Sequence, residues 1–156
     1  KINKKLPKNS IFFPLAVLER KLYDQYIDFK VYIEKIILLL KRKNKKFNII
    51  FRPHPTTNII ELKKFLKKIE FKNYKISYAH YFYLIKNTDF SVRYLSSTID
   101  CSNPILKKKL FRFYPNNFIK KDRLIHFLDK KFDYDKFIYN FDSKIADKTI
   151  LRQLVK

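Results

Sequence analysis

The amino-acid sequence predicts an α/β fold, a parallel sheet with helices packed on both of its faces. Short apolar runs alternate with segments of helical periodicity from Ile11 to Tyr114, the pattern of β-α-β units. Two of those runs, IFFPL at 11–15 and FNIIF at 47–51, are apolar almost throughout rather than at every second place, as in strands covered on both sides. The 156 residues are 46% hydrophobic and 17% aromatic, enough to build one domain with a proper core and too apolar for a disordered chain.

Residues 1–10 are basic, contain Pro7 and read as an arm or linker. Ile11–Leu15 then forms the first strand. From about Asp28 to Lys43, Phe29, Ile33, Ile36, Ile37 and Leu40 recur at helical spacing, one apolar face with lysines opposite. Phe47–Phe51 is the second strand, halted by Arg52-Pro53-His54-Pro55. A helix from about Asn58 to Glu70 carries Ile59, Leu62, Phe65, Leu66 and Ile69 on one side, with Thr56 or Thr57 as its expected cap. Tyr74–Tyr78 is a third strand, Tyr81–Asn87 a short helix and Asp89–Tyr94 a fourth strand. Leu95–Thr98 opens a helix that extends toward Lys109 with a break at Asn103-Pro104, and Leu110–Tyr114 is the fifth strand. The domain so defined spans 11–118. Residues 119–156 read as C-terminal helices packed on it.

Composition excludes several large classes. The chain has no glycine, so it holds neither a Gly-rich dinucleotide loop nor a P-loop nor a glycine-flanked serine elbow. Its one cysteine, Cys101, permits no intramolecular disulfide or cysteine-based zinc site and reads as an inert thiol. Three histidines without clustered carboxylates imply no metal, and no cofactor is expected. His80 reads as a capping or packing residue and His126 as a packed one. No apolar run reaches the length of a membrane-spanning helix. There is no methionine, and the sequence reads as the back half of a longer protein.

The net charge is +22, but lysine supplies 29 of the cations and arginine 7. Sites that grip phosphate or bases in fixed geometry favour the planar arginine fork. Ile, Lys, Asn, Phe and Tyr, all encodable without G or C, make up more than half of the chain. The lysine load is therefore read as codon usage of an AT-rich genome, with weak attraction to acidic membrane as a by-product.

Two polar clusters follow predicted strands and so belong on one edge of the sheet, where such folds bind ligands. In the first, two prolines hold Arg52 and His54 as the chain leaves its strand, and Thr56 follows. A fixed cation beside a histidine suits a phosphate, and the histidine can exchange a proton. In the second, Arg93 precedes Ser96, Ser97 and Thr98, with Asp100 beyond. Consecutive hydroxyls at a helix start, with its free N–H groups, make an anion site that needs no glycine. Each cluster alone also fits a plain strand-to-helix turn with an ordinary cap.

The order strand, FRPHP, helix, strand, helix, DFSVRYLSSTID, LFRFYP resembles the C-terminal, nucleotide-sugar-binding half of bacterial glycosyltransferases for capsular and surface polysaccharides. These include the capsule-synthesis Kdo-transferase group and the polyglycerolphosphate polymerases. The resemblance covers about residues 10–118. Arg52, His54 and Pro55 match the family's Arg/Lys-x-His-Pro segment; Ser96, Ser97 and Thr98 match its Ser-Ser/Thr pair, and Asp100 stands near its trailing acid. The sequence departs from the family at Lys108-Lys109, where glycine is usual, and at Ala16, where glutamine is frequent.

The resemblance implies a Rossmann-like domain, half of a GT-B fold, that binds a nucleotide-activated sugar through its phosphates. It further implies a catalytic role for His54, substrate contacts by Arg52, Thr56, Arg93, Ser96, Ser97, Thr98 and Asp100, and a cytoplasmic place at the inner face of the membrane. The acceptor would be a polysaccharide or lipid-linked sugar, brought by a missing N-terminal half or a partner chain. Two other readings stand beside it: a basic nucleic-acid-binding module, disfavoured by strands that look buried on both faces, and a non-catalytic relative that keeps the fold.

Overall fold

The structure is a computed structural model that describes residues 6–15, 19–22, 25–42, 46–94, 102–114 and 138–142. The elements run in the order β1 (Ser10–Pro14), β2 (Glu19–Leu22), β3 (Gln25–Asp28), α1 (Phe29–Arg42), β4 (Asn48–Arg52), α2 (Ile59–Lys68), β5 (Tyr74–Ile76), α3 (Tyr81–Lys86), β6 (Phe90–Tyr94), α4 (Ser102–Ile105), β7 (Leu110–Tyr114) and β8 (Ile138–Asp142).

Six strands form one sheet in the order β5-β4-β1-β6-β7-β8, and every neighbouring pair is parallel. Numbered along the sheet's own strands, this is 3-2-1-4-5-6, the order of the doubly wound Rossmann sheet. The order reverses between β1 and β6. All strands point the same way, so the segments after β1, β4, β5 and β6 emerge on one edge.

The strands alternate their side chains between two apolar layers. Ile11, Phe13 and Leu15 join Ile49 and Phe51 of β4 on one side, closed by Ile33, Ile36 and Ile37 of α1 and Leu62 and Leu66 of α2. Phe12 and Ile50 enter the other layer, against Leu84 and Ile85 of α3. Each such side chain, fully buried, contributes about 1.5–3 kcal/mol. Of the periodic positions expected, Ile33, Ile36 and Ile37 on α1 and Leu62, Phe65, Leu66 and Ile69 on α2 face the sheet.

Both ends of α2 are secured locally. Asn58, not Thr56 or Thr57, is its cap, with Oδ1 accepting from the Glu61 N–H at 3.1 Å. At the other end Glu70 adopts φ 53°, while Phe71 N–H donates to Leu66 O and Glu70 N–H to Lys67 O, both at 3.0 Å. This paired closure usually places glycine where Glu70 stands. Asn9 and Lys107 are left-handed too, at φ 53° and 54°.

Three further features depart from the sequence-based expectation. Residues Glu19–Leu22 and Gln25–Asp28 pair as an antiparallel hairpin before α1. The helix expected to extend toward Lys109 is present only as the single turn α4 among the described residues; Leu95–Cys101 lies outside them. Ile138–Asp142, expected within a helix, is a strand beside β7, and its alternating Ile-Tyr-Asn-Phe content suits a pleated ribbon. The rest of 119–156, including His126, lies outside the described residues. None of the described helices is long and apolar enough to cross a membrane.

Candidate functional site

β4 delivers Arg52 to the sheet edge at its last position. Residues two apart on a strand share a face, so Arg52 follows Ile50 toward the α3 layer. There its Nε donates to the Ala79 carbonyl at 3.0 Å, and its guanidinium lies 4.3 Å from the centre of the Tyr81 ring. The Tyr81 ring also meets Phe12 edge-on at 5.5 Å. Arg52 therefore ties the end of β4 to the loop between β5 and α3. No carboxylate among the described residues forms an ion pair with it.

Past Arg52, Pro53 is buried and His54, Pro55 and Thr56 are exposed. Residues 54–57 close a tight turn: Thr57 N–H donates to His54 O, and His54 N–H donates to Thr57 Oγ1, both at 2.9 Å. Thr57 is buried, so the turn is anchored to the body. Thr56 N–H donates to His54 Nδ1 at 3.3 Å, and Thr56 Oγ1 lies 2.7 Å from the same nitrogen. Nδ1 is thus the ring nitrogen that Thr56 engages, and the imidazole is oriented through it.

The sheet register adds a relation that sequence alone does not give. Arg52 is level with Pro14, and Phe12 with Ser91. Carried two places further, the β1–β6 register puts Arg93 level with Pro14, and Arg93 is paired directly with Arg112 on β7. Arg52, Arg93 and Arg112 thus occupy one row across the sheet near its carboxyl edge. Strand spacing of about 4.8 Å separates the backbones at Arg52 and Arg93 by roughly 10 Å. Ser96, Ser97, Thr98 and Asp100, like Cys101, lie outside the described residues, so the second cluster is represented by the end of β6 alone.

Other polar residues bind the body together. Asn103, buried, donates from Nδ2 to Ser91 Oγ at 2.8 Å, and Lys108 Nζ donates to the Thr88 carbonyl at 2.8 Å. His80 caps α3, its Nδ1 accepting from Phe82 N–H at 3.3 Å, as its position before an aromatic run suggests. Two open grooves, one along Lys63, Lys67, Phe71 and Tyr74 and one along Lys30, Glu61, Lys64 and Phe65, include neither Arg52 nor His54. No group of histidine, cysteine and acidic side chains capable of holding a metal occurs among the described residues.

The edge after β4 thus offers a held guanidinium and an oriented imidazole, a pair suited to an anion. Comparison with protein-family models, with curated proteins and with solved structures finds no match to this chain.

Proposed function

We propose that this chain is the donor-binding domain of a GT-B-type glycosyltransferase for surface or capsular polysaccharide, acting at the cytoplasmic face of the membrane. The observation that carries the reading is the 3-2-1-4-5-6 parallel order, which brings the FRPHP turn after β4 and the segment after β6 to either side of β1 at the ligand-binding edge. His54 and Arg52 neutralise the donor's phosphates, and the Ser96–Thr98 segment hydrogen-bonds their oxygens, with Arg93 and Asp100 at its two ends. Thr56 orients His54. Catalysis consists of stabilising the leaving nucleotide phosphate; the acceptor, a polysaccharide or lipid-linked sugar, is presented by a further domain or partner chain.

Titration calorimetry with CMP, CDP, UDP and GDP tests this. At least one nucleotide is expected to bind, and His54→Ala to weaken it about tenfold or more, the scale of one hydrogen bond to a charged group. The folding transition of His54→Ala should match the parent, because an exposed turn histidine packs against little. Absence of heat with every nucleotide, or equal binding by His54→Ala, would overturn the reading.

A further inference from the structure

α2 has a buried side, formed by Leu62 and Leu66, and a solvent side made almost wholly of lysine. Lys63, Lys67, Ile60, Lys64 and Lys68 follow one another around roughly 140° of the helix, at about 100° per residue. All four lysines are exposed. Among the described residues no carboxylate pairs with their ammonium groups: Glu61, the one acid of the helix, is taken by Lys30 of α1 at 2.8 Å. Glu34 and Glu70 stand exposed at the borders of the patch without bonding to it.

A solvated helix face is steadied by acids placed four residues from its lysines. Here Lys63–Lys67 and Lys64–Lys68 are like-charged pairs at that spacing, which weakens a helix in water. Codon usage explains how much lysine the chain has, and does not call for four uncompensated lysines on one ten-residue helix. The helices of the other layer differ: α3 has a single lysine, Lys86, and α4 has none. Two aliphatic side chains are exposed beside the charges. Ile60 is 68% exposed in the middle of the lysine arc, one turn toward the N-terminus, and Val31 is 46% exposed where it lines the groove between α1 and α2 with Lys64 and Lys68.

We propose that this face of α2, with Val31 beside it, docks on an anionic lipid surface, its lysines meeting acidic headgroups and Ile60 entering the boundary beneath them. The inference rests on the membrane placement proposed above and names the surface that achieves it. α2 starts just past the turn that carries His54, so docking brings the carboxyl edge of the sheet near the leaflet. Lipid fits this face better than nucleic acid does. The patch has no arginine to grip phosphate with two parallel bonds and no fully exposed ring on which a base could stack, and an isoleucine gains nothing from a phosphate backbone. A bilayer rewards both components: a lysine brought to an acidic leaflet is worth about fivefold in partitioning, and an aliphatic side chain gains by leaving water. A second copy of the same face would meet like charge.

The test is co-sedimentation of the full chain with vesicles of phosphatidylcholine, alone or mixed with phosphatidylglycerol. The parent should bind the acidic vesicles about tenfold or more above the neutral ones. Replacing Lys63, Lys64, Lys67 and Lys68 together by Gln should remove most of that margin. Replacing the exposed Lys8, Lys46, Lys86 and Lys107 by Gln removes the same charge and should cost about threefold or less, through the longer-range field alone. The chain has no tryptophan, so Ile60→Trp supplies a reporter whose emission should shift to the blue on acidic vesicles, while Ile105→Trp, exposed on α4, should not shift. Equal losses in the two lysine sets, a blue shift at Ile105 in place of Ile60, or no preference for acidic vesicles overturns the docking face. Tighter binding to a short oligonucleotide than to the vesicles, abolished by the α2 set, overturns it in favour of a nucleic-acid surface. The α2 lysines lie outside the phosphate site, so nucleotide calorimetry on the α2 set should match the parent. Vesicle binding without nucleotide binding keeps the docking face and ends the donor-site reading; the reverse result keeps the donor site and ends the docking face.

Discussion

On the α1/α2 side of the sheet, β1 contributes Ile11, Phe13 and Leu15 and β4 contributes Ile49 and Phe51, sealed by isoleucines and leucines of two long helices. On the α3/α4 side the same strands contribute Phe12 and Ile50, and the covering helices are short. There, directional bonds make up much of the attachment: Asn103 to Ser91, Lys108 to the Thr88 carbonyl, Arg52 to the Ala79 carbonyl. Apolar contact is strong and indifferent to small displacements. Hydrogen bonds are weaker in net terms and fix position. One layer holds the sheet together by apolar contact, and in the other the Arg52–Ala79 bond fixes the end of β4 at the carboxyl edge.

Phe51 and Ile50 are neighbours on β4 that point into opposite layers, and both are fully buried. Phe51→Ala should destabilise by about 3–5 kcal/mol, read from denaturant unfolding. Ile50→Ala should fall toward the lower end of its own range of about 2–5 kcal/mol, because a thin layer collapses more readily around a cavity. A larger loss at Ile50 than at Phe51 would break the comparison.

Asn103→Ala should come next, at about 1–3 kcal/mol, since it leaves Ser91 buried without that partner. Arg52→Ala is expected at about 1–2 kcal/mol from the lost bond to Ala79. Arg52→Lys should not restore it, because an ammonium cannot reproduce the guanidinium's lateral N–H while lying flat on Tyr81. Full rescue by lysine would mean that charge alone matters at that place. The smallest effect belongs to the Lys30–Glu61 pair, 2.8 Å apart and only half-buried, which ties α1 to α2. A double-mutant cycle should return about 0.2–1 kcal/mol, and a larger coupling would show that the thick layer also relies on charge.

The strands that the sequence announces most clearly are those buried on both sides. FNIIF has no polar alternation to mislead, and β4 occupies it to within a residue. Three of the four residues of Glu19–Leu22 are ionisable, so local chemistry hides the hairpin. In Phe132–Phe141 the apolar spacing is compatible with a helix, and only pairing with β7 settles Ile138–Asp142 as a strand. The site divides the same way. Two prolines around His54 make a held turn readable, and its place after a strand puts it at the edge. That Arg52 bonds Ala79, 27 residues on, depends on β5 lying beside β4. The level positions of Arg93 and Arg112 depend on a register that neither segment carries alone.

The left-handed backbone at Asn9, Glu70 and Lys107 bears on the unfolded chain as much as on the folded one. Each such residue costs about 1–2 kcal/mol relative to a right-handed one, and a glycine would remove most of that. A polypeptide with no glycine anywhere also samples fewer conformations when denatured, so it loses less entropy when it orders. A glycine at Glu70 would relax the end of α2 and at the same time return freedom to the denatured ensemble, worth about 0.4–1 kcal/mol. The two changes oppose each other, and stiffness in the disordered state is what lets this chain keep local strain at its helix ends.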